Sequence, residues 1–197
     1  MINLKDTTPI ATGTNRACYI HPQDGQKCIK ITISGNHKES NREIDYYKFL
    51  QKQNISWDML AQFYGVIDTD MGDGEVVELI RDENGEISKS LDYYFRKSDV
   101  DMEFFIKKLL DMNRYLEKEN IYIKDLNAVN IVYQKGTKNE RLVIIDGLSH
   151  SNYIPFGRHF VKKKIQQSWE HLIYKLKKRC KTKYNPKLEK ELKKWNL

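Results

Sequence analysis

Apolar residues in the first eighty positions come in short runs broken by Gly, Asp and Asn. The runs near residues 8 to 12, 17 to 21 and 27 to 33 predict β-strands, with Asp24-Gly25 as the turn between the second and third. From about 40 to 53 the spacing lengthens to three and four, with Ile44, Tyr47 and Leu50 on one side, which predicts an amphipathic helix. Strands near 61 to 68 and 75 to 80 follow, with Gly72-Asp73-Gly74 as the turn between them. Beyond residue 80 the periodicity is mostly helical. Met102, Phe105, Ile106, Leu109, Met112 and Leu116 form one stripe of a helix from about 99 to 119, the face that packs into a core. Tyr133 to Arg141, with Gly136, has the length and composition of a hairpin linker between two short strands, the second being Leu142 to Ile145. Val161, Ile165, Trp169, Leu172, Leu176 and Cys180 mark a long helix, which Pro186 interrupts before Leu188, Leu192 and Trp195. The pattern predicts an α+β fold: a five-stranded antiparallel lobe with one helix over residues 1–80, and a small, mainly helical lobe over 81–197. The absence of a repeat or low-complexity linker makes the two one unit.

Chemistry concentrates in the run Ile123-Lys124-Asp125-Leu126-Asn127-Ala128-Val129-Asn130-Ile131 and in Asp146-Gly147 at the end of the following strand. An Asp five residues before an Asn, with a second Asp closing the next strand, is the spacing with which kinases hold a hydroxyl and magnesium around ATP. In that arrangement Asp125 takes or orients the proton of the attacking hydroxyl. Asn130 offers its amide oxygen to magnesium, and Asp146 bridges metal and phosphates. The Asp-Leu-x-x-x-Asn stretch read alone is equally a turn whose side chains cap the local backbone.

Upstream, Lys27-Cys28-Ile29-Lys30-Ile31 is an apolar strand with Lys30 where a kinase pairs the α- and β-phosphates. The strand-turn-strand pattern before it is expected to lay Gly13 over the phosphates, with one glycine where a full phosphate loop has three and Thr12 or Thr14 to supply contacts instead. Glu43 has two readings: the helix carboxylate that pairs Lys30, or the fourth residue of a capping box begun by Ser40. Val76-Val77-Glu78-Leu79-Ile80 ends at a hinge where backbone groups near Glu78 and Ile80 meet adenine, unless it is an ordinary edge strand.

These segments, together with Thr12 to Pro22 and Arg42-Glu43-Ile44-Asp45-Tyr46-Tyr47, resemble the YrbL family of PhoP-regulated bacterial proteins over roughly residues 5 to 155. The resemblance implies a protein-kinase-like fold of minimal bilobal form and an ATP-binding domain. Two departures stand out: Ile123 replaces the His found two residues before the catalytic Asp, and Gly147-Leu148 replaces Phe-Gly after Asp146.

Size and charge narrow the picture. No Ala-Pro-Glu element follows Asp146, and the 51 residues from Gly147 to Leu197 leave room for two or three helices rather than a peptide shelf. No signal-peptide core opens the chain and no window approaches the roughly 20 apolar residues of a spanning helix, so a cytoplasmic location is expected. Cys18, Cys28 and Cys180 form no metal or redox pair, and the five histidines are scattered. Fourteen Lys and Arg against three Glu from Ser151 onward give a net of +11, against +7 for the whole chain, so residues 1–150 carry −4. That basic helix is either a solvated face or a landing site for a polyanion. Three functions are compatible with these features. The first is an ATP- and magnesium-dependent phosphotransferase acting on a small-molecule, sugar or protein hydroxyl. The others are a nucleotide-binding pseudokinase module and a basic scaffold.

Overall fold

The computed structural model describes residues 1–136, 140–148 and 158–197, so the tip of the expected hairpin linker and His150 lie outside the described residues. The first half is a five-stranded antiparallel sheet of order β1-β2-β3-β5-β4, formed by β1 (Ala11–Thr12), β2 (Arg16–Ile20), β3 (Lys27–Thr32), β4 (Phe63–Thr69) and β5 (Gly72–Glu78). Helix α1 (Lys38–Gln51) is inserted between β3 and β4. In β3 four consecutive residues from Cys28 to Ile31 are buried, because both faces of the strand are covered. Ile29 and Ile31 join Ile2, Leu4, Ala17, Tyr19 and Val76 in an outer cluster, while Cys28 joins the main core with Tyr46, Tyr47 and Leu50 of α1.

One expected turn is a strand. Gly72, Asp73 and Gly74 open β5, and the chain reverses at Asp70 and Met71, where Thr69 Oγ1 donates to the Gly72 carbonyl at 2.6 Å and accepts from the Met71 N–H at 3.1 Å. Gly74 is required by packing instead of turning: a Cβ there would collide with Ile29 Cγ2 and stand 2.8 Å from Ile31 Cδ1. Glycine here lets two isoleucines fill the outer cluster.

The second half begins with β6 (Lys89–Ser90) and α2 (Leu91–Phe95), two short elements that hydrophobic periodicity does not reveal; Ser90 caps α2 by accepting from the Tyr93 N–H. Helix α3 (Met102–Glu119) carries the expected stripe: all six of its buried residues are those named from the sequence. Asp101 caps its start, and Asn120 ends it in the left-handed conformation. Strands β7 (Ile131–Gln134) and β8 (Arg141–Ile144) form the hairpin and pair with β6 in a three-stranded sheet. Helix α4 (Arg158–Cys180) and α5 (Pro186–Lys194) complete the lobe. Pro186 opens α5 at its first turn, where a missing N–H costs nothing, and Asn185 caps it through the Lys187 N–H at 2.9 Å.

The main core runs without a break from α1 and β3 through α3, β7 and β8 to α4 and α5. Full burial of each Leu, Ile or Met contributes about 1.5–3 kcal/mol, so Ile106, Leu109, Met112 and Ile131, all 0 % exposed, anchor the loop that follows α3. Among the described residues no helix is long and apolar enough to cross a membrane.

Candidate active site

The sheet and the helical half enclose a cleft of about 1050 Å³, the upper end of the size range of ligand pockets. Gly13, Thr14, Lys30, Glu43, Glu78, Ile80, Asp125, Asn130 and Asp146 all line it, so these nine candidate site residues reach one cavity.

Lys30 is held from three sides. Its Nζ lies 3.0 Å from Glu43 Oε1 and 3.6 Å from Asp146 Oδ1, and donates to the Ile145 carbonyl at 2.8 Å. Of the two readings of Glu43, the ion pair holds and the capping box does not. The helix starts at Lys38 after His37, so Ser40 already lies in its first turn and bonds Thr32 Oγ1 at 2.8 Å.

Arg16 is the unforeseen member of this cluster. Its guanidinium meets Glu43 Oε2 at 2.8 Å, Glu75 Oε1 at 3.3 Å and Asp146 Oδ1 in a short contact. Three carboxylates thus share two cations. Burial works against the charge on Arg16 and Lys30, yet the surrounding carboxylates raise both well above their ordinary values. Burial likewise opposes ionised Asp146, but Lys30 and Arg16 hold its carboxyl far below the usual range. The unbalanced negative charge falls on Glu43: its complete burial pushes the carboxyl up to about 7 despite the pull of Lys30.

Asp125 sits at the mouth of the cleft, its side chain 56 % exposed. Its Oδ2 accepts from Asn127 Nδ2 at 2.8 Å and from Asn130 Nδ2 at 3.3 Å, and Lys175 Nζ of α4 lies 3.1 Å from Oδ1. Asn127 also accepts the Val129 N–H at 3.0 Å, so the stretch is a side-chain-capped turn, and that turn presents the Asp125 carboxylate to the cleft. Buried Leu126, Ala128 and Ile131 pin the loop beneath. Ile123, in place of a His, is 1 % exposed and serves as an apolar anchor, its carbonyl accepting from Ser168 Oγ of α4 at 2.7 Å.

The Gly147-Leu148 departure also has a local reason. Gly147 adopts φ +89°, and its carbonyl accepts the N–H groups of Lys124 (3.1 Å) and Asp125 (3.2 Å), which locks Asp146 against the Asp125 loop. Leu148 takes a fully buried place in the main core.

At the end of β5, the Glu78 N–H donates to Gln62 O and the Leu79 N–H to Gln26 O, each at 2.8 Å, while the Ile80 carbonyl accepts from Ser88 N at 3.0 Å. Among the described residues, the backbone groups of this stretch not used in these bonds are the Glu78 and Leu79 carbonyls and the Ile80 N–H.

The donor set suits a magnesium ion. The contacts of Asp146 with Arg16, Lys30 and the Gly147 N–H all fall on Oδ1, and Asn130 uses its amide nitrogen toward Asp125, which leaves its amide oxygen without a partner among the described residues.

Arg16, Asn127 and Lys175 escaped sequence reading. Arg16 follows the Gly13 turn in an exposed stretch, but it lies two residues from Cys18, opposite Lys30, and so shares the cleft face of the sheet. Lys175 belongs to the basic face of α4, part of which turns inward: Arg179 meets Asp92 Oδ1 at 2.9 Å.

In overall shape the protein resembles a chain of the CAK complex of Chaetomium thermophilum in a structure bound to ATP-γ-S, with a TM-score of 0.50 over 76 % of this chain at 15 % identity. It spans about half, 48 %, of that chain. The likeness establishes a kinase-like fold. The YrbL proteins of Escherichia coli strain K12 and Shigella flexneri are each 30 % identical to it over 182 residues, covering 88 % of this chain and 87 % of theirs. The family model for the PhoP regulatory network protein YrbL matches residues 2–177, through the sheet, the cleft and most of α4. Matched over nearly its whole length, the chain belongs to the YrbL family.

Proposed function

We propose that the protein is an ATP- and magnesium-dependent phosphotransferase with a hydroxyl acceptor. The observation that carries this reading is the convergence of the Lys30–Glu43 pair, Asp125, Asn130 and Asp146 on one cleft. Adenine meets the Glu78 carbonyl and Ile80 N–H at the hinge, Gly13 and Thr14 cover the phosphates, and Lys30 binds them as a point charge. Asp146 and Asn130 hold magnesium, which neutralises charge on the phosphates. Asp125, exposed at the mouth and oriented by two amides, accepts the acceptor proton as the new oxygen–phosphorus bond forms and the bond to ADP breaks. A reducing cytoplasm fits the three free thiols.

Incubation with γ-labelled ATP, magnesium and a cell extract tests the reading, with Asp125→Ala as the control. The substitution removes the base but no nucleotide contact. Affinity for magnesium-ATP is expected to stay within a few-fold, and turnover to fall by roughly 10² to 10⁴. Equal turnover by both proteins would reject phosphotransfer through this site. Asp146→Asn is expected to abolish the magnesium-dependent thermal shift with ATP.

The Arg16–Asp146 contact favours a second reading, a pseudokinase that binds nucleotide without turning it over. Exposed Lys162, Lys163, Lys177 and Lys178 on α4 add a candidate polyanion surface.

A further inference from the structure

Counted as G-x-G-x-x-G with Gly13 as the second glycine, the third glycine position falls on Arg16. A glycine there lets the backbone approach a phosphate. This chain instead places its longest cationic side chain at that point, directed into the cleft with 18 % of its surface exposed. One guanidinium nitrogen faces Glu75 at 3.3 and 3.4 Å, and the other spans Glu43 and Asp146. Asp146 Oδ1 therefore already carries Arg16, the Gly147 N–H at 2.7 Å and Lys30 at 3.6 Å. A divalent ion on that carboxylate must settle beside a guanidinium or displace it.

Arg16 itself opens β2, paired with Thr32 of β3, and the turn before it is lightly held. Strand β1 has two exposed residues, and the turn closes through the Gly13 N–H to the Arg16 carbonyl at 2.8 Å. Arg16 is also suited to what replaces its carboxylates, since a planar guanidinium pairs phosphate oxygens two at a time.

We infer that Arg16 works in two positions. In the empty cleft it shields Asp146 from divalent metal; when a nucleotide enters, it transfers to the phosphates and frees Asp146 for the ion. Metal and nucleotide binding are thereby coupled, and the protein has little affinity for free divalent ions. The second position rests on the nucleotide-binding reading above, whereas the first concerns metal alone.

Manganese binding to the purified protein without nucleotide, read from the electron paramagnetic resonance signal of free Mn²⁺, separates the two. Arg16→Met keeps length and removes charge. It is expected to bind Mn²⁺ about tenfold more tightly than wild type, within the usual range of site-to-site coupling, and Arg16→Met/Asp146→Asn to lose that gain. In the presence of Mn²⁺, Arg16→Met is expected to bind a fluorescent ATP analogue about tenfold more weakly than wild type. Arg16→Lys, which keeps charge but loses the fork, should fall between, and it carries the comparison if the methionine variant does not fold. Manganese affinity that is unchanged or weaker in folded variants would overturn the shield. Tighter manganese binding without any nucleotide binding by wild type or variants would overturn the transfer to phosphate and, with it, the nucleotide reading.

Discussion

Gly147→Ala tests how tightly the Asp125 and Asp146 segments are tied. Gly147 has φ +89°, where an alanine costs about 1–2 kcal/mol relative to glycine. A Cβ would also stand 2.6 Å from the Asp125 carbonyl oxygen, 3.1 Å from its carbon and 3.2 Å from Asn130 Nδ2. The residue cannot slide away, because its own carbonyl accepts the Lys124 and Asp125 N–H groups. Overpacking against backbone adds about 1–3 kcal/mol, for a total of about 2–5 kcal/mol. In a chain of this size that corresponds to a melting temperature lower by roughly 5–20 °C. Gly25→Ala is the control: nothing lies within 4 Å of the place its methyl group would take and no positive φ is involved, so its effect is expected within about 0.5 kcal/mol. Thermal and urea melts followed by circular dichroism read both. A Gly147→Ala protein melting within about 2 °C of wild type would refute the close approach of the Asp146 and Asp125 segments.

Gly74→Ala is expected to lose about 1–3 kcal/mol in the same melts, through its collision with Ile29 and Ile31; a neutral result would contradict the packing of the outer cluster. Arg179→Met strips one partner from buried Asp92, which Tyr184 also contacts at 2.7 Å, and should cost about 1–3 kcal/mol of stability by urea titration. Lys175→Met leaves Asp125 to its two amides; turnover in a single-turnover assay is expected to fall by about tenfold with ATP affinity retained, and unchanged turnover would reduce Lys175 to a surface contact. Lys162, Lys163 and Lys164 replaced together by Gln should elute from heparin at lower salt than wild type, because a face with fewer cations neutralises fewer sulfates and releases fewer counterions; identical elution would leave that face solvated only.

Apart from β6 and α2, the order of strands and helices was legible in the chain because each depends on local periodicity. Short apolar runs bounded by Gly, Asp and Asn made the strands visible, and six apolar residues at helical spacing marked α3. The chemical spacing from Asp125 to Asn130 and on to Asp146 was legible for a similar reason: a short loop and one hairpin connect them, so sequence distance bounds spatial distance. Beyond such ranges local signals lost their meaning. Gly72 and Gly74 carry turn chemistry in isolation, and only the isoleucines of a neighbouring strand show why β5 needs a glycine at position 74. Ser40 and Glu43 make a plausible cap until the helix is seen to start at Lys38, and the Glu43 carboxylate, carried into a dry interior, needs the cations of Lys30 and Arg16 beside it. Lys175 lies 50 residues from Asp125, and Arg16 lies 130 from Asp146. Which lysine of a basic helix turns inward, and which residue at the start of β2 reaches the Asp146 carboxylate, was decided by the packing of lobes, since charge pairing depends on distance in space and the chain records only distance along itself.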